Sequence, residues 1–208
     1  IENTGYFYFD FLSKNINVNL KEKKCVLFAP SWNYNNKNLF DDYGFNIINT
    51  LLEEGFKVIF RPHSEHFKRS KKQIKNLNKF SKNNLFKIDY NTSNIPSMEK
   101  SEILISDNSS IFSEYLFVFK KPILKIDYVD KIHNQSFKEL NIETIDDIIL
   151  KTFGNTIEVN QLKNLPNTIN EILNKNLNDR EIDKFIKENF YNIGSSSKVA
   201  AKILNEKY

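Results

Sequence analysis

The chain has 208 residues, 40% of them hydrophobic, with 18 Phe and 9 Tyr. That composition supports one domain with a real core and excludes a disordered chain. A formal net charge of +4 leans only mildly toward anionic partners, and a single cysteine excludes an intramolecular disulfide.

Taken in chain order, Lys24–Ala29, "KCVLFA", is a continuous apolar run ended by Pro30, which predicts a first strand holding Cys25 as a buried thiol. From Asn38 to Glu54, Leu39, Tyr43, Ile47, Leu51 and Leu52 recur at helical spacing, and Gly55 is the natural stop. Phe56–Phe60, "FKVIF", predicts a second strand, ended by Pro62. A Lys-rich helix over Glu65–Lys82 follows, with Phe67, Ile74, Leu77 and Phe80 as its apolar positions. Leu85–Ile88 predicts a third strand, Ile95–Lys100 a helical turn, Glu102–Ser106 a fourth strand, Ser110–Phe119 a helix and Pro122–Ile126 a fifth strand. Thr144–Lys151 reads as a helix with Thr144 as cap and Asp147 as the carboxylate of a capping box. Pro166–Asn174, Asp179–Phe190 and Ser196–Asn205 read as further helices.

Strands and helices alternate, and the strands are apolar throughout. This predicts an α/β fold, a Rossmann-like parallel sheet flanked by helices on both faces. Ligands of such sheets bind beyond the carboxyl ends of the strands. Three stretches are thereby nominated: "PSWN" after the first strand, "RPHSEH" after the second and "SDNSS" after the fourth.

In "SDNSS", Asp107, Asn108 and Ser109 suit a helix cap. A helix start also offers unpaired amides and a partial positive charge, to which the Ser109 and Ser110 hydroxyls add donors for a phosphate. Both readings stand at this level, with Asp107 expected to bond amides of its own loop. Glu114 is the only carboxylate on the helix that follows, and reads either as a solvent-exposed residue or as a partner for a ligand hydroxyl. Arg61 suits bidentate phosphate recognition or an ion pair, and His63 a phosphate donor or an acid–base group. His63 and His66 lack an evident third ligand for a metal, and His133 stands alone in a polar loop. Ser31 suits a cap or a phosphate contact, and Trp32 suits packing. Lys68, Arg69, Lys71, Lys72, Lys75, Lys79 and Lys82 form a basic run. It reads as a solvated helix face or as a surface for anionic membrane lipid. No nucleic-acid module, glycine-rich phosphate loop or Cys-x-x-Cys pair is present, and no cofactor or metal is called for. No apolar run approaches the ~18 residues that span a bilayer. With one cysteine and no signal-peptide pattern, the expected location is cytoplasmic, peripheral at the inner face of the membrane.

In series, "VLFAPSW", "KVIFRPH", "ILISDNSSIFSEYLFVFKKPIL" and "FYNIGSSSKVAAKIL" resemble the CDP-glycerol glycerophosphotransferase family of teichoic acid and capsule polymerases. "TGYFYFDFL" at Thr4–Leu12 is similar to the segment that leads into that family's C-terminal domain. The resemblance implies one half of a glycosyltransferase-B (GT-B) fold, the donor-nucleotide domain, with the catalytic base a His on the other domain. It further implies that Ser31, Arg61, His63, Ser109 and Ser110 contact the pyrophosphate of a CDP-linked donor, with Asp107 shaping the loop. The acceptor would be a lipid-linked or polymer hydroxyl. Departures are Asn108 for the family's Tyr, Ser64 for Pro, Asn33 for Arg, Phe7-Tyr8 for Pro-Arg, and no Pro-Gly-Pro-like loop between Asp127 and Pro166. The expected organisation is a lead-in over 1–20, a nucleotide-binding domain over 21–178 and C-terminal helices over 179–208. Two other readings share these motifs: a GT-B enzyme using a nucleotide sugar, and a non-catalytic nucleotide-binding or interaction domain.

Overall fold

The computed structural model describes residues 2–16, 21–34, 37–129, 131, 134–140 and 142–207. His133 lies outside them, as do residues 17–20 of the lead-in. Six strands form one sheet: β1 (Cys25–Phe28), β2 (Lys57–Phe60), β3 (Phe86–Ile88), β4 (Ile103–Ser106), β5 (Ile123–Asp127) and β6 (Asn155–Glu158). Every pairing is parallel, and the order is β3-β2-β1-β4-β5-β6. The sequence therefore runs outward from β1 in one direction, then returns and runs outward in the other. The reversal between β1 and β4 leaves a crevice at their carboxyl ends, the place where open α/β sheets bind ligands.

Side chains alternate across the strands, so each strand supplies two cores. Val26, Phe28, Val58, Phe60, Ile103, Ile105 and Leu124 face one side. There they pack on α2 (Phe45–Glu53), through Ile47, Ile48 and Leu51, and on α8 (Leu165–Leu173), through Ile169 and Ile172. Cys25, Leu27, Ala29, Leu104 and Ile123 face the other side. They meet α1 (Phe7–Lys14), α5 (Ile95–Lys100), α6 (Ile111–Phe119), α7 (Ile145–Phe153) and α9 (Asp179–Asn189). This explains the apolar sequence of α6. Phe112, Tyr115, Leu116, Phe117, Val118 and Phe119 are all buried because the helix lies between the sheet and α1, α7 and α9.

Local chemistry sets the element ends. Gly55, at φ 75°, takes the left-handed turn that stops α2, and its amide donates to the Leu52 carbonyl at 3.1 Å. The entry to α2 is a π-helical turn over Phe40–Gly44, where the Phe40 ring lies so close over Gly44 that a Cβ there would meet it at 2.3 Å. The single Lys-rich helix expected over Glu65–Lys82 is instead broken at Ser70 into α3 (Ser64–Arg69) and α4 (Lys71–Asn76), continued by a 3₁₀ turn over Leu77–Phe80. At α7 the Thr144 hydroxyl accepts from the Asp147 amide at 3.2 Å and donates to the Asp147 carboxylate at 2.7 Å.

Two elements had no sequence signal. The strand β6 buries only Ile157, as an edge strand can. The helix α1 forms within the lead-in, and its Asp10 accepts from the amides of Gly194 (2.6 Å) and Ser196 (2.7 Å). Those residues open α10 (Ser196–Lys207), so Asp10 ties the first helix to the last. Within the C-terminal helices, α9 seats Ile182 and Ile186 in the second core.

Candidate functional site

The crevice between β1 and β4 opens into a cleft of about 720 Å³. Its floor is the loop after β1, with Ser31 and Trp32, and the loop after β4, with Asn108, Ser109 and Ser110. His63 after β2, Lys125 and Lys131 around the end of β5, and Thr144, Asp146 and Asp147 at the start of α7 form its walls. Four of the sequence-nominated residues, Ser31, His63, Ser109 and Ser110, thus line one cavity.

The cap reading of "SDNSS" does not hold. No side chain caps α6 by a hydrogen bond. Asp107 is buried, and its carboxylate accepts from the Ser31 amide at 2.7 Å rather than from its own loop. It therefore joins the β1 and β4 loops, as a charge-assisted hydrogen bond between neighbouring strands can. The Asn108 side-chain Nδ2 donates to the Val129 carbonyl at 3.3 Å, fixing the loop to the chain beyond β5. The hydroxyls of Ser109 and Ser110 make no hydrogen bond among the described residues. A nine-residue helix therefore opens toward the cleft with no side-chain cap and two free hydroxyls beside it, although the Phe112 and Ser113 amides already donate to the Ser109 and Ser110 carbonyls at 3.3 and 3.1 Å. Ser31, 7% exposed, has a hydroxyl without a partner among the described residues, as has the indole N–H of Trp32. Orphaned buried polar groups are costly, and a ligand in the cleft would give them partners.

His63 is the N-cap of α3, held by a reciprocal pair of hydrogen bonds. Its Nδ1 accepts from the Glu65 amide at 3.2 Å, and its own amide donates to His66 Nδ1 at 3.1 Å. Because Nδ1 accepts, the neutral ring carries its proton on Nε2. Burial and then the charge of Lys131 lower the pKa of His63, so it stands at neutral pH as an uncharged donor. His66 is fully buried, edge-on to the rings of Trp32 (5.1 Å) and Phe40 (5.0 Å), and burial pulls its pKa down to about 3.

Besides Asp107, two nominated residues do not line the cleft. The Arg61 guanidinium pairs with buried Asp89 at 2.6 Å and donates to the carbonyls of Asn91, Thr92 and Ser93 at 3.0–3.2 Å. A fork used in this way organises the loop into α5. Glu114 is buried, not solvent-exposed, and accepts from the Tyr6 hydroxyl at 2.9 Å and Asn94 at 3.4 Å. Burial raises its pKa. Sequence reasoning missed Lys125, Lys131 and Asp146. Burial lowers the pKa of Lys131, which forms no ion pair with a described residue. The basic run is exposed as expected, but Lys68 and Arg69 are both paired with Glu65, at 2.7 and 2.9 Å. Among the described residues, no group of three or more His, Cys, Asp or Glu is placed to hold a metal. No helix there is long and apolar enough to cross a membrane.

Comparison with known proteins adds a family. The family model described as CDP-glycerol:poly(glycerophosphate) glycerophosphotransferase matches residues 6–205. No curated protein matches the chain. Among solved structures, a histidine-to-alanine variant of the wall teichoic acid polymerase TagF matches with a TM-score of 0.50 and 16% identity, over 96% of this chain and 47% of that one. UDP-GlcNAc 2-epimerase of Methanocaldococcus jannaschii, in complex with UDP-GlcNAc and UDP, matches at 0.56 and 16%, over 98% and 54%. The same enzyme of Neisseria meningitidis, bound to UDP-GlcNAc, matches at 0.56 and 18%, over 98% and 55%. The chain spans about half the length of these structures. At these identities the likeness shows the fold alone, a Rossmann-like parallel sheet flanked by helices.

Proposed function

Because the chain belongs to the CDP-glycerol:poly(glycerophosphate) glycerophosphotransferase family, we propose that its cleft binds the nucleotide diphosphate of a CDP-linked donor. The protein would transfer glycerol phosphate, or a related polyol phosphate, to a hydroxyl of a cell-surface polymer or lipid-linked acceptor. This chain is then the donor-nucleotide domain. The observation that carries the reading is the uncapped start of α6, with the free hydroxyls of Ser109 and Ser110, at the sheet's switch point.

In this reading the diphosphate lies at the α6 N-terminus. Backbone amides, both serine hydroxyls and Ser31 donate to it, and Lys131 supplies positive charge, with Lys125 nearby but paired with Asp127. His63 donates through Nε2. It is a hydrogen-bond donor and not the base, since its Nδ1 is occupied by the Glu65 amide. The acceptor oxygen attacks the β-phosphorus and gives up its proton to a base. The bond between that phosphorus and the CMP oxygen breaks, and CMP leaves. Charge growing on CMP is met by donors already in place, which is where such sites lower a barrier. Arg61 and Glu114 act at one remove, through the 91–94 loop they hold. The exposed lysines Lys71, Lys72, Lys75, Lys79 and Lys82 offer a peripheral contact to anionic lipid.

Titration calorimetry with CDP-glycerol, CDP, CMP and a UDP-sugar tests the assignment. Cytidine diphosphates should bind most tightly, and Ser110→Ala should weaken them about tenfold, one charged hydrogen bond. Preference for the UDP-sugar would favour a nucleotide-sugar enzyme, and silence throughout a non-catalytic role.

A further inference from the structure

The cleft has two chemically opposite sides. Lys131 and the α6 start make one side positive, Lys125 beside them being paired with Asp127 at 3.1 Å, while the first turn of α7 brings Asp146 and Asp147 to the other. The two aspartates are not equivalent. Asp147 is used internally, accepting from the Thr144 hydroxyl at 2.7 Å. Asp146 is half-buried, and its carboxylate has no hydrogen-bond partner among the described residues. Burial first, and then Asp147, raise its pKa, so the ionised form is held at a cost that the start of α7 offsets only in part.

An ionised carboxylate only accepts hydrogen bonds. A diphosphate offers it no donor and repels it, so its partner must be another part of the ligand. A divalent cation bridging the diphosphate to Asp146 would be the alternative partner, and a preference for CDP-glycerol that persists in EDTA excludes it. Ser31, more than nine-tenths buried with a hydroxyl unpartnered among the described residues, lines the same cleft and independently points to a ligand there. Resting on the reading of this cleft as the donor site, we propose that Asp146 accepts the hydroxyls of the transferred polyol and so selects a hydroxyl-bearing group on the diphosphate. The cationic side holds the part of the donor that leaves, and Asp146 reads the part that is transferred.

The test is calorimetry of CDP and CDP-glycerol against the wild-type chain and Asp146→Ala. The wild type should bind CDP-glycerol about tenfold more tightly than CDP, the value of one charge-assisted hydrogen bond. In Asp146→Ala that preference should vanish, while CDP binds as well as before or better, a negative charge having left the diphosphate's surroundings. An unchanged preference in the variant, equal loss of both ligands, or no preference in the wild type overturns the proposal. If the wild type binds neither ligand, the donor-site reading itself fails, and this inference fails with it. An unchanged melting temperature of Asp146→Ala separates a lost contact from a lost fold.

Discussion

Acidification should weaken this fold through one buried histidine. His66 is fully buried between Trp32 and Phe40, and its Nδ1 must stay unprotonated to accept from the His63 amide. Its folded-state pKa is about 3, against an ordinary value near 6.5. The unfolded chain therefore takes up the proton first. The stability that depends on neutral His66 is complete above pH 6.5 and is lost as the pH falls toward 3. Each unit of separation is about 1.4 kcal/mol, so the loss is about 2 kcal/mol at pH 5 and about 5 kcal/mol at the limit. Urea unfolding of the wild type and of His66→Asn at pH 7.5 and pH 5 measures it. Asn keeps an acceptor near the Nδ1 position and does not titrate, so its cavity costs the same at both values. Carboxylates and His63 titrate in both proteins and cancel. The wild type should lose about 2 kcal/mol more than the variant across that interval. Equal losses would refute the assignment of His66 as a neutral, buried cap.

Lys121 is buried, and its ammonium donates to the carbonyls of Met98 (2.8 Å), Glu99 (2.6 Å) and Ser101 (2.7 Å), closing the end of α5 onto β4. Lys121→Met should cost about 3 kcal/mol by stranding those acceptors, and thermal unfolding should fall by roughly 6–12 °C; a fall under about 2 °C would show that they find other donors. The exposed lysines of α4 should bind anionic vesicles at about 1 kcal/mol each. Changing Lys71, Lys72 and Lys75 together to Ala should weaken sedimentation with phosphatidylglycerol vesicles by about a hundredfold, and unchanged sedimentation would leave the run as a solvated face.

The strands were legible because both faces of the sheet are covered, which forces continuous apolar runs such as "CVLF" and "KVIF". The edge strand β6 was not, since Asn155, Thr156 and Glu158 face solvent or lie half-buried and leave no run to read. Nor was α1, whose Phe7 and Phe11 are exposed and whose buried Asp10 finds its partners 184 and 186 residues away. At the site, position along the sheet was readable and direction was not. Ser31, His63, Ser109 and Ser110 follow strand ends and line the cleft. Arg61 directly follows β2 and Glu114 lies on the helix after β4, yet their long side chains turn to loop carbonyls and to Tyr6, partners set by tertiary structure. Lys131 and Asp146 carry no motif, and only the closing of the chain beyond β5 over the cleft brings them there.

The central claim is that a diphosphate sits on the open start of α6. Amide chemical shifts of the isotope-labelled chain during titration with CDP test it most directly. Saturable shifts should concentrate at Ser109, Ser110 and Ile111, with smaller ones at Ser31 and His63, all reduced in Ser110→Ala. Saturable shifts that spare the α6 start and fall elsewhere, for example on the lysines of α4, would contradict it.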